Sequence, residues 1–94
     1  MSGVRLVLQF TADSAELAEK HIQAMIELCK IVQQQPGCLQ FEVFRSALRP
    51  EQYVVLEHWA TQEALDERRR RMPPPGDPPP GITRTREIYV QAVS

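Results

Sequence analysis

The chain has 94 residues, a formal net charge of −1, 24% charged residues and 43% hydrophobic residues. That length predicts one domain over residues 1–94 with a small core of its own. The balanced charge argues against a nucleic-acid binder, which needs a clustered basic excess, and no run of about 18 apolar residues is present to span a membrane as a helix.

The first residues, Met1-Ser2-Gly3-Val4-Arg5, lack the basic-then-apolar order of a signal peptide, so a cytoplasmic, reducing location is expected. From Val4 to Thr11 apolar Val4, Leu6, Leu8 and Phe10 alternate with Arg5, Val7, Gln9 and Thr11, which is strand periodicity. Asp13, with Glu16 three residues on, fits an N-cap and its capping-box partner. Leu17, Ala18, Ile22, Met25, Leu28, Cys29 and Val32 then recur in steps of three and four, predicting a helix from Ser14 to about Gln34. Pro36-Gly37 ends it.

Cys38 to Ser46 and Tyr53 to Ala60 read as strands joined by a turn at Arg49-Pro50-Glu51. Thr61 can cap a second helix with Glu63 in its first turn and Arg68 to Arg71 in its last, placements that suit the helix dipole. The arginines are therefore expected to be a solvated helix end. Residues 73–81, "PPPGDPPPG", predict an exposed, partly polyproline loop, and Thr83 to Val93 a last strand. Cys29 and Cys38 are too few and wrongly spaced for zinc; they read as small buried groups, and no metal is expected.

The order β-α-β-β-α-β predicts an α+β, ferredoxin-like fold with two helices on one face of a four-stranded antiparallel sheet. In the second strand Leu39, Phe41 and Val43 are assigned to one face, Cys38 and Phe44 to the other. In the third, Val54, Leu56 and Ala60 oppose Tyr53, Val55 and Trp59; in the last, Ile88, Val90 and Ala92 oppose Tyr89 and Val93. Apolar groups on both faces predict a homodimer packed sheet against sheet.

The segments "QQQPGCLQFEVFRS" and "YVVLEHWATQEALDE" resemble the antibiotic biosynthesis monooxygenase family, especially its quinol monooxygenase-like members. The features that carry the resemblance are Pro36-Gly37-Cys38, Phe41-Glu42-Val43, Glu57-x-Trp59, and Thr61, Glu63, Ala64 and Leu65 at the start of the second helix. It implies a dimeric α+β barrel with a cleft between sheet and helices in each subunit. It further implies oxygenation of an aromatic polyketide or quinol by O₂ without metal, flavin or other cofactor. Family members continue helically where this chain has Met72 and the proline loop.

Such chemistry needs a base, an aromatic wall, and donors that hold the substrate anion while water is excluded. His21 and His58 have the side chain suited to a base, and Trp59 offers a wall and an indole donor. These are the candidate catalytic residues. Tyr53, Glu57 and Trp59 share a strand face, and with Phe41 and Arg86 they form the candidate set for a small aromatic substrate. Alternation sends His58 to the opposite face from Trp59. A buried Glu57 would either pair with an arginine or have a raised pKa. Two other readings fit the same fold: a non-catalytic ligand-binding or assembly module, and an isomerase or decarboxylase of small aromatic acids.

Overall fold

The computed structural model describes residues 3–72 and 76–91. Its elements are β1 (Val4–Ala12), α1 (Ala15–Val32), β2 (Cys38–Arg45), β3 (Gln52–Trp59), α2 (Gln62–Arg71) and β4 (Ile82–Val90). The strands form one antiparallel sheet in the order β2-β3-β1-β4, which is the ferredoxin-like arrangement expected from the sequence. Ala92 and Val93 of the expected last strand, and Pro73, Pro74 and Pro75 of the proline loop, lie outside the described residues.

Local chemistry sets the element ends. Ser14, not Asp13, caps α1: its hydroxyl accepts from the Leu17 backbone N–H at 3.1 Å, so Leu17 stands where a capping box would need Glu or Gln. Thr61 caps α2 as expected, accepting from Ala64 N at 3.1 Å. Gly37 has φ +83°, and a Cβ there would fall 2.4 Å from the Ala64 Cβ. Only glycine lets the α1–β2 turn adopt that conformation and lets α2 sit this close. The Gly37 carbonyl accepts from Ala60 N at 2.8 Å, tying the turn to the β3–α2 junction.

The register divides the sheet cleanly. On the helix side Leu6 lies between Glu57 and Ile88, Leu8 between Val55 and Arg86, and Phe10 between Tyr53 and Arg84. The buried residues Phe10, Phe41, Tyr53, Val55, Trp59 and Leu65 make the center of the core on this side. One assignment in β2 needs correction. A register shift between Cys38 and Gln40 sets Cys38 opposite Trp59 and Phe41 opposite Glu57, so both face the helices. Leu39, in the irregular step, is 61% exposed. A bulge adds one residue and cancels the alternation across it.

The outer face is more mixed than the sequence suggested. Val7, Val54, Leu56, Phe44 and Tyr89 are set there among Arg5, Gln9, Gln40, Glu42, Thr85 and Glu87. Among the described residues no helix is long and apolar enough to cross a membrane.

Candidate active site

A cavity of about 150 Å³ lies between the helix side of the sheet and the two helices. Its floor is Leu6, Leu8, Phe10 and Val55, and Met25, Leu28 and Leu65 cover it from the helices. Burial of these side chains keeps the floor apolar, while charged groups enter at defined points. Tyr53 and Glu57 mark the length of the site. They are four residues apart on β3, about 13 Å at ~3.3 Å per residue.

At the Tyr53 end, the Tyr53 hydroxyl lies 2.6 Å from His21 Nδ1. The Tyr53 ring stacks on Phe10 with centroids 5.1 Å apart and planes 7° apart, and His21 meets both rings edge-on. Burial lowers the His21 pKa, so the imidazole is neutral at neutral pH. The Tyr53 hydroxyl, pushed up to about 12 by burial, keeps its proton. It has no other partner among the described residues and therefore donates to Nδ1. The imidazole proton is then on Nε2. His21 lines the cavity as a hydrogen-bond donor, which differs from the base expected of it.

At the other end Glu57 is 7% exposed and lines the cavity. The indole N–H of Trp59 donates to its Oε1 at 2.9 Å. Burial raises the Glu57 pKa; the Trp59 hydrogen bond and the charges of Arg68 and Arg69 oppose this without overcoming it. Among the described residues Glu57 forms no ion pair, so of the two expected outcomes the raised pKa is the one found. A carboxylate shifted toward neutrality in an apolar cavity has the properties of a general base.

The arginine run does not behave as one solvated end. Arg70 and Arg71 do, reaching Glu67 at 2.6 and 3.1 Å on the surface. Arg68 and Arg69 turn inward and line the cavity. Arg68 Nη1 donates to the Met72 carbonyl at 2.8 Å, and its guanidinium lies 5.7 Å from the center of the Phe41 ring. Helical spacing carried this signal: Leu65, Arg68, Arg69 and Met72 occupy positions i, i+3, i+4 and i+7, one face of α2.

Arg84 and Arg86 enter from β4, and the loop at Gly76, Asp77, Pro78 and Pro79 supplies the remaining wall. Arg84 Nη1 donates to the Gly76 carbonyl at 3.2 Å and holds the loop across the site. The proline loop thus contributes residues to the cavity where the sequence predicted only an exposed excursion.

Of the residues singled out from sequence, the structure gathers His21, Glu57, Phe41 and Arg86 around the cavity. Tyr53 stands behind His21. Trp59 is fully buried and does not line the cavity; its ring is core, and it reaches the site only through its hydrogen bond to Glu57. His58 lies on the outer face, opposite Arg5 in the register, and shares no cavity with the others. Burial and Arg5 lower its pKa. Cys29 and Cys38 are free thiols whose pKa values are raised, chiefly by burial, which suits inert packing groups. Among the described residues no cluster of His, Cys, Asp or Glu is arranged to hold a metal ion.

The family model for antibiotic biosynthesis monooxygenase matches residues 1–72. No curated protein matches the chain. Among solved structures, a protein from Shewanella oneidensis is similar at 19% identity and TM-score 0.74, covering 95% of this chain and 90% of its own. A conserved protein from Methanosarcina mazei aligns at 19% identity and TM-score 0.72, covering 95% and 92%. A variant of SnoaB, a cofactor-independent oxygenase from Streptomyces nogalater, aligns at 18% identity and TM-score 0.61, covering 97% and 92%. At these identities the structural likeness establishes the fold.

Proposed function

The chain belongs to the antibiotic biosynthesis monooxygenase family, and from that premise we propose that it is a cofactor-independent monooxygenase acting on a small phenol or quinol. The observation that carries this reading is the cavity, in which a carboxylate of raised pKa, Glu57, shares an apolar chamber with arginine donors. An apolar cavity of about 150 Å³ accepts a benzene-sized ring, so the substrate enclosed here has one aromatic ring.

In the proposed reaction Glu57 removes the hydroxyl proton of the bound phenol, breaking its O–H bond, and N–H groups of the cavity hold the resulting phenolate. The anion passes one electron to O₂, and the radical pair joins at a ring carbon to form a peroxide. Glu57 returns its proton to the peroxide, and loss of water then leaves a quinone: one oxygen atom is retained as C=O, and the other departs as H₂O with the former hydroxyl proton and the hydrogen of the oxygenated ring carbon. For phenol the balance is C₆H₆O + O₂ → C₆H₄O₂ + H₂O. The apolar floor of Leu6, Leu8 and Val55 keeps water away from the peroxide.

The active form is proposed to be a homodimer built on the outer sheet face, where Phe44 and Tyr89 are 45% and 53% exposed beside Val7, Val54 and Leu56. Burying such a patch offsets association costs that a small polar patch does not. Single-domain organization over residues 1–94 and a cytoplasmic location complete the proposal.

Oxygen uptake with a panel of one-ring hydroquinones in chelator-treated buffer, on protein shown by sedimentation to be a folded dimer, tests it. Uptake of one O₂ per substrate supports the reading. No uptake above buffer across the panel contradicts it, and a monomer at micromolar concentration contradicts the dimer.

A further inference from the structure

The β4 edge of the cavity is left open and positively charged. β4 is an edge strand joined to β1, and Arg84 and Arg86 stand two residues apart on its helix side, opposite Phe10 and Leu8. Ile88, next on that face, is 47% exposed, so this edge is uncovered. Both arginines line the cavity together with Arg68 and Arg69 of α2, and the carboxyls that line it are Glu57 and Asp77. Among the described residues none of the four arginines forms an ion pair. The whole chain has a formal net charge of −1, so the excess is local. A cleft lined by one sign of charge concentrates ligands of the other.

We infer that the ligand of this cavity is an aromatic acid, a one-ring phenol whose carboxylate is received by Arg86 at the β4 rim while its hydroxyl lies toward Glu57. The inference deepens the oxygenase reading and rests on it for the hydroxylated ring at Glu57. The carboxylate subsite rests on the β4 arginines. It is a claim about binding, and no bond is made or broken.

The register selects Arg86 from the four. Glu57 pairs with Leu6 and Leu6 with Ile88, so Glu57 and Arg86 are two strands and two residues apart. At ~4.8 Å per strand and ~3.3 Å per residue their Cα atoms are about 12 Å apart. The line between them crosses Leu6 and Leu8, the apolar floor, and with a side chain reaching in from each end one ring spans the gap. Arg84, two residues farther along, is about 16 Å from Glu57 by the same spacing. Its Nη1 already donates to the Gly76 carbonyl, so it adds charge beside the subsite. Arg68 donates to the Met72 carbonyl, and both Arg68 and Arg69 act on Glu57 at the opposite end.

A carboxylate fits that rim. It is flat like its ring, and its two oxygens accept from both arms of one guanidinium fork. Arg86 is exposed, so the bound carboxylate keeps part of its hydration and avoids the desolvation cost of the apolar floor.

The test is calorimetric titration of the intact protein, without oxygen, with 3-hydroxybenzoate and with 3-hydroxybenzyl alcohol, which has the same ring and hydroxyl but no charge. The acid is expected to bind about tenfold tighter or more at neutral pH and low salt, the size of one hydrogen-bonded charge pair. Arg86→Gln removes most of that advantage and binds the alcohol as wild type does, which also shows that the variant is folded. Arg84→Gln weakens the acid less than Arg86→Gln, and Arg70→Gln, on the surface, leaves it unchanged.

Equal binding of acid and alcohol by wild type overturns the inference, as does an advantage that survives Arg86→Gln or the absence of binding by both compounds. Oxygen uptake is measured separately, so the two readings can fail separately. Acid selectivity without uptake across the quinol panel sinks the oxygenase reading and leaves the subsite. Uptake with hydroquinone and no preference for the acid sinks the subsite alone.

Discussion

The two ends of the cavity are built on opposite principles. At the Tyr53 end the polar atoms are completed within the chain: the hydroxyl bonds to His21 at 2.6 Å, and the Phe10 and Tyr53 rings are stacked. At the Glu57 end fewer polar atoms are paired: Glu57, of raised pKa, forms no ion pair, and Arg68 Nε and Arg69 Nη2 are buried with no partner among the described residues. The first arrangement stabilizes the fold. The second reduces stability, and it is where the proposed chemistry places its base.

Substitutions at the two ends should therefore have opposite signatures. The largest effect is expected from Glu57→Gln, which removes the base. Quinol turnover by oxygen uptake should fall by about 10²–10⁴-fold, yet the protein should be more stable than wild type at neutral pH. The sign follows from the raised pKa. Between 4.5 and its elevated folded value, Glu57 binds its proton better in the folded chain than in the unfolded one. Stability then falls as pH rises through that window. The advantage of Glu57→Gln in urea denaturation should accordingly disappear as the pH is taken below 4.5. A Glu57→Gln protein that is less stable at pH 7 than wild type would break the comparison.

Tyr53→Phe should do the reverse. The ring stack survives, but His21 Nδ1 loses its donor, at a cost of about 1–2 kcal/mol of stability. Turnover should change by less than about tenfold, equivalent to ~1.4 kcal/mol in the barrier. A loss of turnover as large as that of Glu57→Gln would place the chemistry at the wrong end. The smallest effect belongs to Glu67→Gln, which releases Arg70 and Arg71 into solvent. Its denaturation midpoint and its turnover should match wild type, because exposed ion pairs contribute little. A clear loss there would mean that the inward and outward arginines are not separable.

Much of this was legible in the residues, and the gaps have physical causes. Alternation along β3 correctly put Tyr53, Glu57 and Trp59 on one face and His58 on the other, because side-chain direction in a strand is local. It could not say that Trp59 lies under the site and not in it, since that depends on how deeply α2 seats over Ala64 and Gly37. Four consecutive arginines suit the helix dipole as one solvated block, but Leu65 at i and Arg68 at i+3 share a face, and that face turns the first pair inward. The bulge after Cys38 left no mark in composition, so Leu39 was set on the wrong face. The proline loop could be recognized as a loop from its residues alone. Its return across the cavity is held by Arg84, eight positions beyond Gly76, which no local rule encodes.

The most direct test is a crystal structure of the protein with 4-nitrophenol bound. The account predicts the ring on Leu6, Leu8 and Val55 with its hydroxyl within hydrogen-bonding distance of the Glu57 carboxyl. A ring seated with its oxygen against His21 and away from Glu57 would contradict it.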